Sequence, residues 1–307
     1  MGIARFGKVL TAMVTPFHDD GGLDLDGAAA LARWLVAQGN DGLVVAGTTG
    51  EAPTLSDDEK VELWRAVRAA VDVPLLAGTG SNDTRHTIGL SQRAVETGID
   101  GLLIVSPYYN RPPQAGIEAH FRAVAAAVPL PIVMYDVPTR TGRAMTVDTV
   151  VRLATDVPTI AGLKDARGNP GEAAQIVARA PDDFDVYSGD DGLTLPLLAV
   201  GAVGVVGVAT HWTAGLHADM IAAHGKGDVD TAREINARLT PSFAIETGPT
   251  WVHTSAAKAA LAALGLPAGP CRLPLPPLDD AVRAAVGRVL AELNLTDGGG
   301  EGAGHRG

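Results

Sequence analysis

Short apolar runs and stretches of helical period alternate eight times along this chain, and that alternation constrains its fold more than any other feature. The runs cover residues 9–14, 42–45, 74–78, 101–106, 131–135, 160–164, 185–188 and 204–208. Helical patterns follow at 25–38, 56–70, 84–97, 114–127, 146–155, 169–180, 194–200 and 213–224. Alternating strands and helices imply a parallel sheet. Eight such units predict an α/β fold of the closed (β/α)8 TIM barrel type. An open doubly wound sheet is the alternative that alternation leaves standing. The 307 residues suit one barrel plus a modest extension. Aromatics make up only 4% of them, so the core is built from Ala, Val and Leu, which let helices pack closely on such a sheet.

A faint internal repeat supports the barrel. Gly39-Asn-Asp-Gly-Leu-Val-Val, Gly98-Ile-Asp-Gly-Leu-Leu-Ile and Gly201-Ala-Val-Gly-Val-Val-Gly share one shape: a glycine closing a helix, a short turn, then a buried strand. Ser56-Asp-Asp-Glu59 reads as a capping box. After residue 224 the pattern changes to three helical segments, 229–240, 254–264 and 278–293, with no strand between them. The expected organisation is a catalytic barrel at 1–224, a C-terminal three-helix extension at 225–296, and a Gly-rich disordered tail at 297–307.

Net charge narrows the partners. With 24 Lys+Arg against 35 Asp+Glu the chain carries −11, which disfavours nucleic acid and anionic membrane surfaces. No apolar stretch reaches the ~20 residues that span a bilayer, and residues 1–8 lack a signal core. The single cysteine, Cys271, excludes an intrachain disulfide and a thiolate zinc cluster. The expectation is a cytoplasmic protein without a metal site.

Active groups of such barrels stand at the C-terminal ends of strands. Lys164 is the sharpest candidate there. Of the five lysines, it alone ends an apolar strand, Ile160-Ala-Gly-Leu-Lys164. A partly desolvated amine has a lowered pKa and a larger free-base fraction, and a neutral amine can attack a ketone to form a Schiff base. Position alone leaves an ion pair with Asp165 equally open. Gly47-Thr-Thr-Gly50 is a tight turn with two hydroxyls and free N–H groups, able to hold a carboxylate or simply to cap a helix. Tyr135 ends another strand, where a phenol can relay protons or merely line the mouth. Arg140 follows in a turn and suits a carboxylate ligand or solvent. Asp190-Asp191 reads as a helix cap rather than a metal site. His86, His211 and His253 have no evident partner.

Taken together, these residues resemble the pyruvate-dependent class I aldolase family typified by dihydrodipicolinate synthase. The matching motifs are Thr11-Ala-Met-Val-Thr-Pro-Phe17, Gly47-Thr-Thr-Gly-Glu51, Ala77-Gly-Thr-Gly80, Ser106-Pro-Tyr-Tyr-Asn110, Tyr135-Asp-Val-Pro-Thr-Arg-Thr-Gly142, Gly162-Leu-Lys-Asp165 and Tyr187-Ser-Gly-Asp-Asp191. The resemblance implies that Lys164 is the Schiff-base lysine and that Thr49, Tyr135 and Tyr109 form a proton relay. Tyr109 would cross from a neighbouring subunit of a homotetramer. Thr48 and Thr49 would hold the pyruvate carboxylate, and Arg140 the carboxylate of L-aspartate 4-semialdehyde. Gly189 and Val206 would line the pocket. The implied reaction forms 4-hydroxy-tetrahydrodipicolinate, the step that opens lysine and diaminopimelate biosynthesis, and needs no cofactor. Arg140 sets this reading ahead of lyases for other 2-keto acids. An intact residue set sets it ahead of a catalytically silent paralogue.

Two departures stand out. Asp136 occupies a position where many members carry Asn. The family's lysine feedback site falls near Ala52, Asp57, Lys60, Asn82, His86 and Tyr108. His86 replaces a carboxylate there and Lys60 adds positive charge, so the expectation is weak or absent inhibition by lysine.

Overall fold

The computed structural model describes residues 2–295; the expected tail at 297–307 lies outside them. Eight strands close a barrel in sequence order: β1 (Val9–Ala12), β2 (Gly42–Val45), β3 (Leu75–Gly78), β4 (Gly101–Val105), β5 (Ile132–Asp136), β6 (Ile160–Asp165), β7 (Asp185–Ser188) and β8 (Gly204–Gly207). Every adjacent pair is parallel, and β1 pairs with β8. An open sheet is thereby excluded. The helices between strands are α1 (Leu25–Ala37), α2 (Asp57–Ala70), α3 (Thr84–Val95), α4 (Gln114–Ala127), α5 (Pro138–Thr141), α6 (Val147–Asp156), α7 (Pro170–Arg179) and α8 (Thr194–Ala199). α9 (Thr210–Gly225) follows β8. The four-residue α5, read as a turn from sequence, is the element that carries Arg140.

Local chemistry sets the helix ends. Ser56 and Glu59 satisfy each other's backbone N–H groups in a reciprocal capping box. Gly39, Gly98 and Gly201 have φ of +99°, +78° and +102°, the left-handed region that glycine enters freely. These are the three glycines of the internal repeat.

Successive strand residues face opposite ways. Residues such as Leu10, Val44, Leu76, Leu103, Val133, Tyr135, Tyr187 and Val206 form a cluster of their own that fills the barrel. Their neighbours, such as Leu43, Val45, Leu75, Ile132, Ile160 and Leu163, join the larger core beneath the helices. Between β5 and β6 the register slips. Ile132 pairs with Ile160 but Val133 pairs with Gly162, so Ala161 is an extra residue on β6. Beyond this bulge Tyr135 lies beside Lys164, which in turn pairs with Tyr187 of β7.

Three helices complete the described chain: α10 (Val229–Glu246), α11 (His253–Ala263) and α12 (Asp280–Glu292). α10 does not stop at Thr240, as the sequence suggested. It continues through Pro241, although proline removes a helical hydrogen bond. Its last turns are anchored by packing: Ile245 is buried and the Ser242 hydroxyl accepts from Trp212 Nε1 at 2.9 Å. The extension also grips the turn after β2. Lys258 Nζ lies 2.7 Å from Glu51 Oε1, with both side chains buried. The Arg272 backbone N–H donates to Glu51 Oε2 at 2.8 Å. Among the described residues, no helix is long and apolar enough to cross a membrane.

Candidate active site

Lys164 is 5% exposed and sits next to last in β6. Its neighbour Asp165 belongs to the opposite face of the strand and is taken by Arg167. Arg167 Nε donates to Asp165 Oδ1 at 3.0 Å and Nη2 approaches Oδ2 at 2.5 Å. The ion-pair alternative for Lys164 therefore falls away. Among the described residues, no carboxylate lies within 4.0 Å of its amine. The Nζ stands instead over the Tyr135 ring, 4.6 Å from its centroid. Gly189 makes room for the lysine. A Cβ there would fall 2.9 Å from Lys164 Cγ and 3.1 Å from Cε.

Burial sets the electrostatics. It pulls the Lys164 amine down to about 8; Arg140 adds to the fall, while Asp191 and Glu246 oppose it. Asp191 is buried beside His217. The Asp191 Oδ2 accepts from the Val208 N–H at 2.8 Å, and Oδ1 faces His217 Nε2 at 3.6 Å. Burial raises the pKa of both acids, which reduces their hold on the lysine's proton. Burial likewise raises the Tyr135 phenol, against the pull of Arg140 and of a hydrogen bond with Thr48. The neighbouring Asp136 is pushed up to about 7 by burial. Its Oδ2 accepts from the Met145 N–H at 2.9 Å.

Thr48 lines the mouth cavity together with Tyr135, whereas Thr49, the threonine expected in the relay, is buried and absent from the cavity wall. The cavity measures about 540 Å³ and takes in Thr48, Tyr135 and Arg140 at one end. At the other it takes in Asp57, Lys60 and His86. Lys164, Gly189 and Val206 are not on this wall; Val206 is fully buried inside the barrel. Tyr109 is not brought to Lys164 at all. It is 89% exposed, with φ of +71°.

Three histidines that sequence left without partners have them. His86 Nε2 lies 2.8 Å from Asp57 Oδ2. His211 Nε2 accepts from the Val14 N–H at 3.1 Å, while its Nδ1 faces the Val208 carbonyl at 2.7 Å. His253 meets Arg140, with Nδ1 and Nη2 2.9 Å apart. The last contact spans 113 residues, and no local spacing reveals it.

Comparison with known proteins agrees with this geometry. The model of the "Dihydrodipicolinate synthetase family" matches residues 5–293. A 4-hydroxy-tetrahydrodipicolinate synthase of Acidothermus cellulolyticus is 54% identical over 295 residues, covering 94% of this chain and 92% of that one. Among solved structures, a dihydrodipicolinate synthase of Bacillus anthracis superposes with a TM-score of 0.89 at 43% identity, covering 93% of this chain and 98% of that one. The lysine-bound synthase of Cyanidioschyzon merolae gives 0.91 at 42% identity, covering 94% and 99%. The chain belongs to the dihydrodipicolinate synthetase family.

Proposed function

We propose that this enzyme condenses pyruvate with L-aspartate 4-semialdehyde to give 4-hydroxy-tetrahydrodipicolinate through a Schiff base on Lys164. One observation carries the reading: a buried amine, with no carboxylate ion pair among the described residues, stands over the ring of a tyrosine that lines the mouth cavity with Thr48 and Arg140.

The free amine adds to the pyruvate ketone, and loss of water leaves an imine. The protonated imine withdraws electrons, so a methyl proton is lost and an enamine carbon nucleophile forms. That carbon attacks the aldehyde. The aldehyde substrate's own amine then displaces Lys164 and closes the ring, so the reaction releases one water overall. Tyr135 moves protons between the lysine nitrogen and Thr48. The Thr48-Thr49 turn holds the pyruvate carboxylate, and Arg140 holds that of the aldehyde. The lysine supplies the electron sink, so the chemistry calls for no cofactor.

Tyr109 joins the relay as Tyr109 of the partner subunit in a homotetramer. Its 89% exposure and its positive φ of +71° support this. The barrel at 1–224 carries the chemistry in the cytoplasm, and the 225–296 extension holds the mouth. Borohydride reduction with pyruvate, followed by peptide mapping, should find a pyruvyl adduct on Lys164. A folded protein that yields none refutes the reading. Product formation with aspartate semialdehyde, rather than with other aldehydes, tests the substrate.

A further inference from the structure

His253 belongs to the first turn of α11, in the C-terminal extension, yet it reaches Arg140 at the barrel mouth. A guanidinium nitrogen carries protons and offers no lone pair. Arg140 Nη2 is therefore the donor, and His253 Nδ1 must present its lone pair. The ring is thus neutral, with its proton on Nε2. Burial, with Arg140 and Lys164 nearby, holds the imidazole down to about 3, so it stays neutral at working pH. Among the described residues, no carboxylate lies within 4.0 Å of Arg140.

This arrangement differs in kind from an Arg–carboxylate pair. An arginine already paired with Asp or Glu must break that pair to take a substrate carboxylate. An untethered one must give up side-chain freedom to take it. A neutral acceptor fixes the guanidinium while leaving its charge and its other N–H groups unspent. We propose that His253 is a positioning residue for the second substrate: its Nδ1 lone pair orients the Arg140 fork toward the carboxylate of the incoming aldehyde. The inference rests on the role proposed above for Arg140.

The test compares His253→Leu, which keeps bulk but removes the acceptor, with His253→Asn, whose amide oxygen restores one near Nδ1. His253→Leu should raise KM for aspartate semialdehyde about tenfold and leave the pyruvate KM and the imine-trapping rate unchanged. His253→Asn should recover most of that loss. An unchanged aldehyde KM in His253→Leu, an equal rise for both substrates, or failure of His253→Asn to rescue would each overturn the proposal. Imidazole ¹⁵N shifts of the native enzyme give a readout independent of any variant's folding. A neutral Nε2–H tautomer at pH 6 is expected, and an Nδ1–H tautomer or a protonated ring would refute it. Arg140→Ala separates the two layers. If it leaves the aldehyde KM unchanged, the role of Arg140 fails and this inference falls with it. If it raises that KM while His253→Leu does not, only the inference fails.

Discussion

The rate at which pyruvate is captured should follow the titration of one buried amine. Burial brings the Lys164 pKa from 10.5 to about 8. The free-base fraction is then about one in ten at pH 7, about half at pH 8 and about nine in ten at pH 9. Imine formation should rise about fivefold between pH 7 and 8, less than about twofold between pH 8 and 9, and level off. An unshifted lysine would instead gain about tenfold in each step. The assay is a rapid-quench borohydride trap at saturating pyruvate, read as the trapped fraction of intact protein by mass. Neighbouring charges should move the midpoint with defined sign. Arg140 pushes the pKa down, so Arg140→Ala should shift the midpoint up. Asp191 and Glu246 push it up, so Asp191→Asn and Glu246→Gln should shift it down. A rise of about a hundredfold from pH 7 to 9, still climbing beyond, would refute the claim that burial prepares this amine.

Gly189→Ala should fold but crowd Lys164 and Ala166, whose atoms stand 2.9–3.1 Å from the added carbon; a loss of about 1–3 kcal/mol with impaired trapping is expected, and native trapping would contradict it. Lys258→Met strands the buried Glu51 carboxylate and should cost about 3–5 kcal/mol in denaturant unfolding; adding Glu51→Gln should recover part of this, and a double variant as unstable as the single would argue against a paired charge. Asp136 has its folded pKa raised from 3.8 to about 7, so the folded state holds the extra proton in that window and stability falls as pH rises through it. Asp136→Asn should therefore gain on the native enzyme between pH 4 and 7, by up to about 4 kcal/mol, whereas a pH-independent difference in calorimetry would rule this out. Asp57 is already bridged by His86 at 2.8 Å and Lys60 at 3.6 Å, leaving the cavity's outer end poorly suited to an ammonium; millimolar lysine should change initial rates by less than about twofold, and micromolar inhibition would overturn that.

The barrel was legible because its signals are local: apolar runs of strand length, capping glycines and the Ser56 box each act within a few residues. Lys164 was legible because a lysine closing an apolar strand is chemically out of place. What stayed hidden depends on contacts between distant segments. Thr48 and Thr49 have the same chemistry, and only the path of the turn decides which of them faces the mouth cavity. α10 outlasts Pro241 because Trp212 and the buried Ile245 hold its end, a tertiary effect that outweighs local propensity. His253 acts on a residue 113 positions away, beyond the reach of any motif.

The bulge at Ala161 has a consequence for how this enzyme tolerates change. Counted in twos from Ile160, which packs beneath the helices, Lys164 would fall among the outward residues. The bulge absorbs the extra residue, resets the alternation and delivers the amine to the throat. Flattening the bulge while keeping Ala161 would therefore act on the strand as a frameshift acts on a message. Every residue would survive, yet the nitrogen would be read out on the wrong side of the wall. Chimeras and loop grafts that cross β6 must keep residue count and bulge matched as strictly as they preserve the lysine itself.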